Sequence, residues 1–450
     1  MDRTRIRRLV ITVAAIASSG ATTLVFSIAA ARTLSPTAFG DVAREFSVAM
    51  LVAQLTMAGI SPALARHIGQ GEDDEQRWSR ARGGIRLLWV GSLACSLAYP
   101  ALAVGGLAPV SIDSLFSGWA VTVIYPVYFG LKSFLFVLDR VETYAKLEFG
   151  SDALFYVLLV LLLTMAPELI VGCFAVAYGC FVVVVMSLIT RRASVGTEVR
   201  ADASLLRYAG YAMLSTYATV ARFPAVIVAA GVISESAISG RVAAIFALLT
   251  PILLIPQAAS VLTFATYARV RAPKEAQGLR ATLRLTFAAT MVPIVVGIIA
   301  AHLLLTLIYG TQFGPLSVSF GVLLLALGPV VVGMPIGNAL AGAGEVRTTA
   351  AIALPGFFLT VALACIGGEL YGGSGILIGC GLAIALTGVV LAVVATARLG
   401  LRFEDFTEGL LLMGVGAIAL IQPSVAIVVG VIVVSCLVFR NIRTPEVTLP

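Results

Sequence analysis

Arg222 and Lys132 stand deep inside apolar runs of this 450-residue chain, and Arg32, Arg44 and Arg241 stand near the ends of such runs. A charged side chain in that setting is costly and normally faces a bundle interior or a wet cavity. Polar neighbours accompany these cations at helical spacing. Tyr208, Tyr211, Ser215, Thr219 and Arg222 share one helix face, with Tyr217 on the same helix. Tyr125, Tyr128 and Lys132 form a second stripe, and Arg44, Ser47, Gln54 and Ser61 a third, with Glu45 beside it. Gln257, Ser260, Thr263 and Tyr267 form a fourth. Excess positive charge in a low dielectric suits an anion, and a guanidinium fork suits phosphate in particular. Glu45 is the one carboxylate clearly embedded near these stripes, as a coupling or ion-pair residue. A cation or drug exporter would want more embedded acid.

Each residue also has a plainer reading. Arg32, Arg44 and Arg241 fit helix ends anchored at lipid headgroups, Lys132 fits a snorkelling side chain, and Arg222 fits a structural partner of Glu45. The tyrosines fit packing as well as ring stacking. His67 and His302 are far apart and read as incidental, so neither a zinc site nor a nucleophilic triad is supported. Asp73, Asp74 and Glu75 look like a solvated charge run rather than a catalytic acid cluster. No catalytic residue, metal or cofactor is expected.

The elements that must carry these stripes are membrane-spanning helices. The chain is 60% hydrophobic and only 12% charged, with mean hydropathy +1.03. That leaves too little polar surface for a water-facing globule. Apolar runs such as 242–264 and 283–308 are continuous, matching helices across a hydrocarbon layer and not the alternating strands of a barrel. Spans are expected near 9–31, 42–64, 85–106, 118–138, 150–166, 169–190, 207–230, 242–264, 283–308, 316–340, 347–369, 372–397, 408–422 and 424–439. That gives about fourteen, or as few as twelve if the last runs merge around Pro423. Pro251, Pro256, Pro293, Pro329 and Pro335 interrupt helices and suggest kinks. The six cysteines lie inside apolar runs and read as small buried hydrophobes.

The net charge of +7 is topological. Loops bearing Arg3, Arg66, Arg77, Arg140, Arg191, Arg200, Arg271, Lys274, Arg347, Arg402, Arg440 and their neighbours alternate with loops bearing no Lys or Arg. The positive-inside rule then puts both termini in the cytoplasm of a bacterial inner-membrane protein and removes nucleic acid as a partner. An internal repeat links Leu34–Ala43 with Ile233–Ala243, six spans later, so the halves share orientation. The expected organisation is two six-helix lobes, 1–200 and 201–400, with an extra hairpin and tail over 401–450.

The stretch Ala31-Arg32-Thr33-Leu34-Ser35-Pro36-Thr37-Ala38-Phe39-Gly40, then Gly59-Ile60-Ser61-Pro62-Ala63-Leu64-Ala65-Arg66, resembles the opening of the Wzx-type oligosaccharide flippases. Their patterns are "AR-x-L-x-P-x-x-F/Y-G" and "G-L/I-x-x-A-L-x-R". Leu307-Ile308-Tyr309-Gly310-Thr311-Gln312-Phe313 and Leu340-Ala341-Gly342-Ala343-Gly344-Glu345 resemble later elements of that family. The resemblance implies the multidrug/oligosaccharidyl-lipid/polysaccharide (MOP) exporter fold, two lobes forming a V around a central cavity. It implies movement of a polyprenyl-diphosphate-linked oligosaccharide across the bilayer by alternating access, without covalent chemistry. Polysaccharide polymerase and glycosyltransferases of one pathway would be partners. On that reading Arg222 and Lys132 hold the diphosphate, and Arg32, Arg44 and Arg241 attract it at the outer side. Tyr125, Tyr128, Tyr211 and Tyr217 stack on sugars, with Ser215, Gln54 and Gln257 lining the same cavity. Many members carry "D-R" in the seventh span, where this chain has Ala221-Arg222, so any step needing that acid lacks its residue. The alternatives are a lipid II flippase, a cation-coupled drug exporter and a membrane glycosyltransferase.

Overall fold

The computed structural model describes residues 3–193, 203–269, 276–342, 345–399 and 407–422, and these are helical with no strand. In order the helices are α1 (Arg3–Thr33), α2 (Pro36–Gly69), α3 (Asp74–Ser96), α4 (Ala98–Val104), α5 (Ile112–Val137), α6 (Val141–Met165) and α7 (Gly172–Arg192). Then come α8 (Ala203–Val220), α9 (Arg222–Ile233), α10 (Ser236–Arg269), α11 (Ala276–Ile299), α12 (Ala301–Tyr309), α13 (Ser317–Gly342), α14 (Val346–Leu399) and α15 (Thr407–Ile421). Among the described residues eight helices are long and apolar enough to cross a membrane, or ten if each bent pair is one span. The expected spans up to residue 422 fall on single helices or on helix pairs broken by a short turn or bend. The expected last span 424–439, Pro423, and Arg200, Arg271, Lys274, Arg402, Arg440 and Arg443 lie outside the described residues.

Local chemistry sets the helix starts. Ser35 caps α2 by accepting from the Ala38 amide at 3.2 Å, with Pro36 at the first helical position. Ser111 and Ser114 form a reciprocal capping box on α5. The acidic run at 73–75 has a structural task. Asp73 caps α3 through the Gln76 amide at 2.7 Å, and Asp74 and Glu75 sit in its first turn, where the helix dipole favours negative charge.

The breaks between helices lie away from these prolines. Pro251, Pro256, Pro293, Pro329 and Pro335 each lie inside a continuous helix. The bends are at Ala221, where α8 meets α9 at 56°, and at Ala300, where α11 meets α12 at 76°. Pro224 explains the first: it has no amide hydrogen to offer the carbonyl four residues back, in the last turn of α8. The two expected spans 347–369 and 372–397 run together as α14, which leaves helical geometry at Tyr371 and Gly372. Gly372 takes φ +59°, a conformation that favours glycine. The two halves then fold against each other so closely that a Cβ on Gly367 would overlap the Gly375 carbonyl, and one on Gly379 the Leu363 carbonyl.

Packing groups the chain into two compact units, Met1–Ala247 and Leu248–Pro450, which divide within α10. The reason is that α8 and α9 lie along α2 inside the first unit. There a run of rings fills the centre: Phe46 stacks on Phe174 at 4.6 Å, Phe174 meets Phe155 at 4.6 Å, and Tyr128 stacks on Tyr178 at 4.2 Å. At the end bearing the basic loops, buried Trp78 lies between Arg140 and Arg192, at 5.8 and 5.3 Å, tying α3 to α6 and α7. In the second unit α13 packs on α14, α11 and α15. Val157, Val160 and Leu161 of α6, and Val176, Val183 and Val184 of α7, remain exposed, as lipid-facing side chains should. Hydroxyls on these faces satisfy themselves on the preceding turn, as Thr190 does on the Met186 carbonyl at 2.8 Å.

Candidate functional site

Four helices of the first unit converge on a buried ionic cluster that the sequence reading did not assemble. On α6, Glu148 and Asp152 stand one turn apart on the same face, 0% and 2% exposed. On α5, Tyr128 and Lys132 stand one turn apart and face them. Lys132 Nζ donates to Glu148 Oε1 at 2.9 Å, and the Tyr128 hydroxyl donates to the same oxygen at 2.5 Å. The ammonium also lies 3.4 Å from the Tyr128 hydroxyl and over the rings of Tyr128 and Tyr144, at 5.5 and 5.0 Å. From α1, Ser18 donates to Asp152 Oδ2 at 2.5 Å, and Thr22 bonds the Tyr178 hydroxyl of α7 at 3.2 Å. Tyr125 packs edge-on against Tyr178 at 5.6 Å.

Two carboxylate oxygens in this cluster, Glu148 Oε2 and Asp152 Oδ1, are buried without a hydrogen-bond partner. Orphaned acceptors at this depth are costly, and a proton or small cation would relieve the cost. Two carboxylates against one ammonium leave the cluster one negative charge when all are ionised. Among the described residues no group of three or more His, Cys, Asp or Glu is gathered as for a metal centre.

This arrangement corrects one expectation: Glu45 is not the one embedded acid, because Glu148 and Asp152 are buried as well. Lys132, expected to hold a diphosphate, has its ammonium against Glu148 in this structure. The helix start accounts for Glu148, which lies outside the expected span 150–166 although α6 begins at Val141; Asp152 lies inside that span, and its single carboxylate in an apolar run was signal enough.

Arg222 is the first residue of α9, just past the bend, and is 7% exposed. Its Nε donates to the Ala218 carbonyl at 3.0 Å, a carbonyl in the turn that the bend disrupts. On α8, Tyr211, Ser215 and Tyr217 are half-buried, Thr219 is exposed, and the Tyr208 ring lies 4.7 Å from the Arg66 guanidinium.

The remaining residues scatter. Glu45 is buried and accepts from Ser117 Oγ on α5, with no ion-pair partner among the described residues, so it is not paired with Arg222 or Arg44. Arg44 pairs instead with Asp41 at 2.9 Å and reaches the Gly231 carbonyl at 3.4 Å. Gln54 is buried with its carbonyl oxygen unpartnered, and Gln257 and Arg32 are exposed. Arg241 is half-buried, its Nε without a partner. The two copies of the repeat meet one another. Ser239 Oγ lies 3.1 Å from the Gly40 carbonyl, and a Cβ on Gly40 would overlap the Ser236 carbonyl.

No family model matches the sequence, and no curated protein matches it. Solved structures do. A structure described as the lipid II flippase MurJ in an inward closed conformation aligns over 97% of this chain and 100% of its own, with TM-score 0.70 and 14% identity. A MOP superfamily transporter from Pyrococcus furiosus Vc1, described as having a binding pocket of reverse polarity, aligns over 88% and 95%, with TM-score 0.63 and 15% identity. An inward-facing multidrug resistance MATE family transporter of the MOP superfamily aligns over 84% and 94%, with TM-score 0.62 and 15% identity. The chain is therefore a multi-pass membrane protein with the fold of MOP superfamily transporters.

Proposed function

We propose that this protein is a flippase for polyprenyl-diphosphate-linked oligosaccharide in a bacterial cytoplasmic membrane, with both termini on the cytoplasmic side. It works by alternating access and makes or breaks no covalent bond. The observation that carries this reading is Arg222, a buried guanidinium at the bend of a broken span. A guanidinium in low dielectric is the side chain best suited to a diphosphate, and at a bend it moves when the helix straightens. The prenyl tail stays in lipid. Polysaccharide polymerase and glycosyltransferases would supply and consume the substrate. The buried Glu148–Asp152 cluster serves as the coupling site, taking up and releasing an ion as access alternates.

The test is translocation of a fluorescent polyprenyl-diphosphate oligosaccharide in liposomes. Arg222→Ala should abolish it while leaving insertion and abundance intact, and Arg222→Lys should restore only part. Loss of the protein itself in Arg222→Ala would assign a structural role to Arg222 and sink this reading.

Two observations favour rivals. The MurJ likeness over the whole length supports a lipid II flippase, which depletion would reveal as growth arrest with accumulated wall precursor. The buried acids remove the main objection to a cation-coupled drug exporter, which would move an organic cation in the same liposomes and leave the lipid-linked sugar in place.

A further inference from the structure

We infer that Lys132 is a tethered cation that makes the Glu148–Asp152 pocket selective for a proton and closes it to sodium. This rests on the reading of that cluster as an ion site. Glu148 Oε1 already accepts from Lys132 Nζ at 2.9 Å and from the Tyr128 hydroxyl at 2.5 Å, so its lone pairs are spoken for. The faces of Tyr128 and Tyr144, which would otherwise greet a cation, are turned to the same ammonium. Tyr128 offers its hydrogen to the carboxylate, and Ser18 offers its own to Asp152 Oδ2.

What remains open is Glu148 Oε2 and Asp152 Oδ1, two buried acceptors, with the Tyr144 hydroxyl as the one unpartnered donor beside Glu148, one donor short of pairing both. A sodium ion reaching them would have too few oxygens to replace its water. It would also sit beside a fixed positive charge in a medium that screens it poorly. A proton needs neither. It forms one O–H bond on either carboxylate, supplies the missing donor, and brings two carboxylates and one ammonium to neutrality. The proton comes from water on one side of the membrane and returns to water on the other. The other titratable groups facing the pocket are Tyr125 and Tyr128 on α5, Tyr144 and Tyr156 on α6 and Tyr178 on α7; Ser18 and Thr22 on α1 carry no charge.

The experiment is thermal unfolding of the purified full chain in detergent, with no substrate, at fixed pH. Sodium is exchanged for a bulky organic cation at constant ionic strength. The wild type should show the same Tm in both. Lys132→Met should show a Tm a few degrees higher in sodium, because the site now takes the metal in place of the ammonium. Adding Asp152→Asn to Lys132→Met should erase that shift. A sodium-dependent Tm or bound radiolabelled sodium in the wild type overturns the proposal, and so does a folded Lys132→Met that ignores sodium. A sodium shift in the wild type overturns the proposal with no variant needed, and Lys132→Gln, which keeps most of the side-chain volume without the charge, replaces Lys132→Met if that variant fails to fold and should gain the same sodium shift. A chain that follows the expected sodium pattern yet moves no lipid-linked oligosaccharide would overturn the function and leave this site standing.

Discussion

Replacing Glu148 with Leu removes the carboxylate that holds the Lys132 ammonium at 2.9 Å, in a place where the lysine side chain is 13% exposed and the glutamate 0%. Breaking a buried pair by deleting one partner costs about 3–5 kcal/mol, because the survivor is an uncompensated charge. Lys132 keeps the Tyr128 hydroxyl and two ring faces, which lowers the cost toward the bottom of that range. Lys132→Met should cost a similar amount by stranding two carboxylates, and part of it should return in sodium. The double variant Lys132→Met/Glu148→Leu deletes the ion pair and leaves Asp152, held by Ser18, to take up a proton; at a pH low enough for that it should recover to within about 1 kcal/mol of the wild type, since apolar replacements of buried pairs are often neutral. The coupling energy would then be about 3 kcal/mol or more, well outside the additivity of independent sites. Unfolding of the purified protein by SDS in mixed micelles measures all four corners. Single variants each within about 1 kcal/mol of the wild type, or a double as unstable as the sum, would refute a buried ionic pair.

Gly40→Val should disrupt the crossing of α2 and α10, since its side chain meets backbone at Ser236 rather than a flexible chain end, costing about 1–3 kcal/mol. Thiol labelling of Ser236→Cys from the lipid-free side should rise accordingly, and unchanged labelling would mean the crossing tolerates the bulk. Trp78→Ala should lose about 3–5 kcal/mol in the same SDS titration, because a buried indole between two guanidinium groups is replaced by a cavity. Asp152→Asn should leave a folded protein whose liposome transport no longer responds to a proton gradient; a preserved response would move the coupling site elsewhere.

The places where sequence reading succeeded and failed share a logic. Ser35 and Pro36 announced the start of α2 because a cap and its helix are neighbours in the chain. The likeness between 34–43 and 233–243 was legible, yet nothing in it said that the two copies would touch through Gly40 and Ser236. Lys132 reads as an embedded cation from the sequence alone, whereas its partner Glu148 falls outside the expected span 150–166 and only the structure brings the two together. The bend at Ala221 was missed for a similar reason: Pro224 acts on a carbonyl four residues away and was overlooked in favour of prolines that the helices absorb.

Sequence by itself determined that the chain is a stack of apolar helices, because the hydropathy of twenty consecutive residues is a local sum that lipid reads directly. It likewise determined which side chains are out of place in lipid, since charge at depth needs no knowledge of neighbours to be costly. Only the tertiary structure decided what compensates those charges. Ser18 and Asp152 are 134 residues apart, Thr22 and Tyr178 156 apart, and a partner chosen across helices depends on packing angles that no single helix encodes.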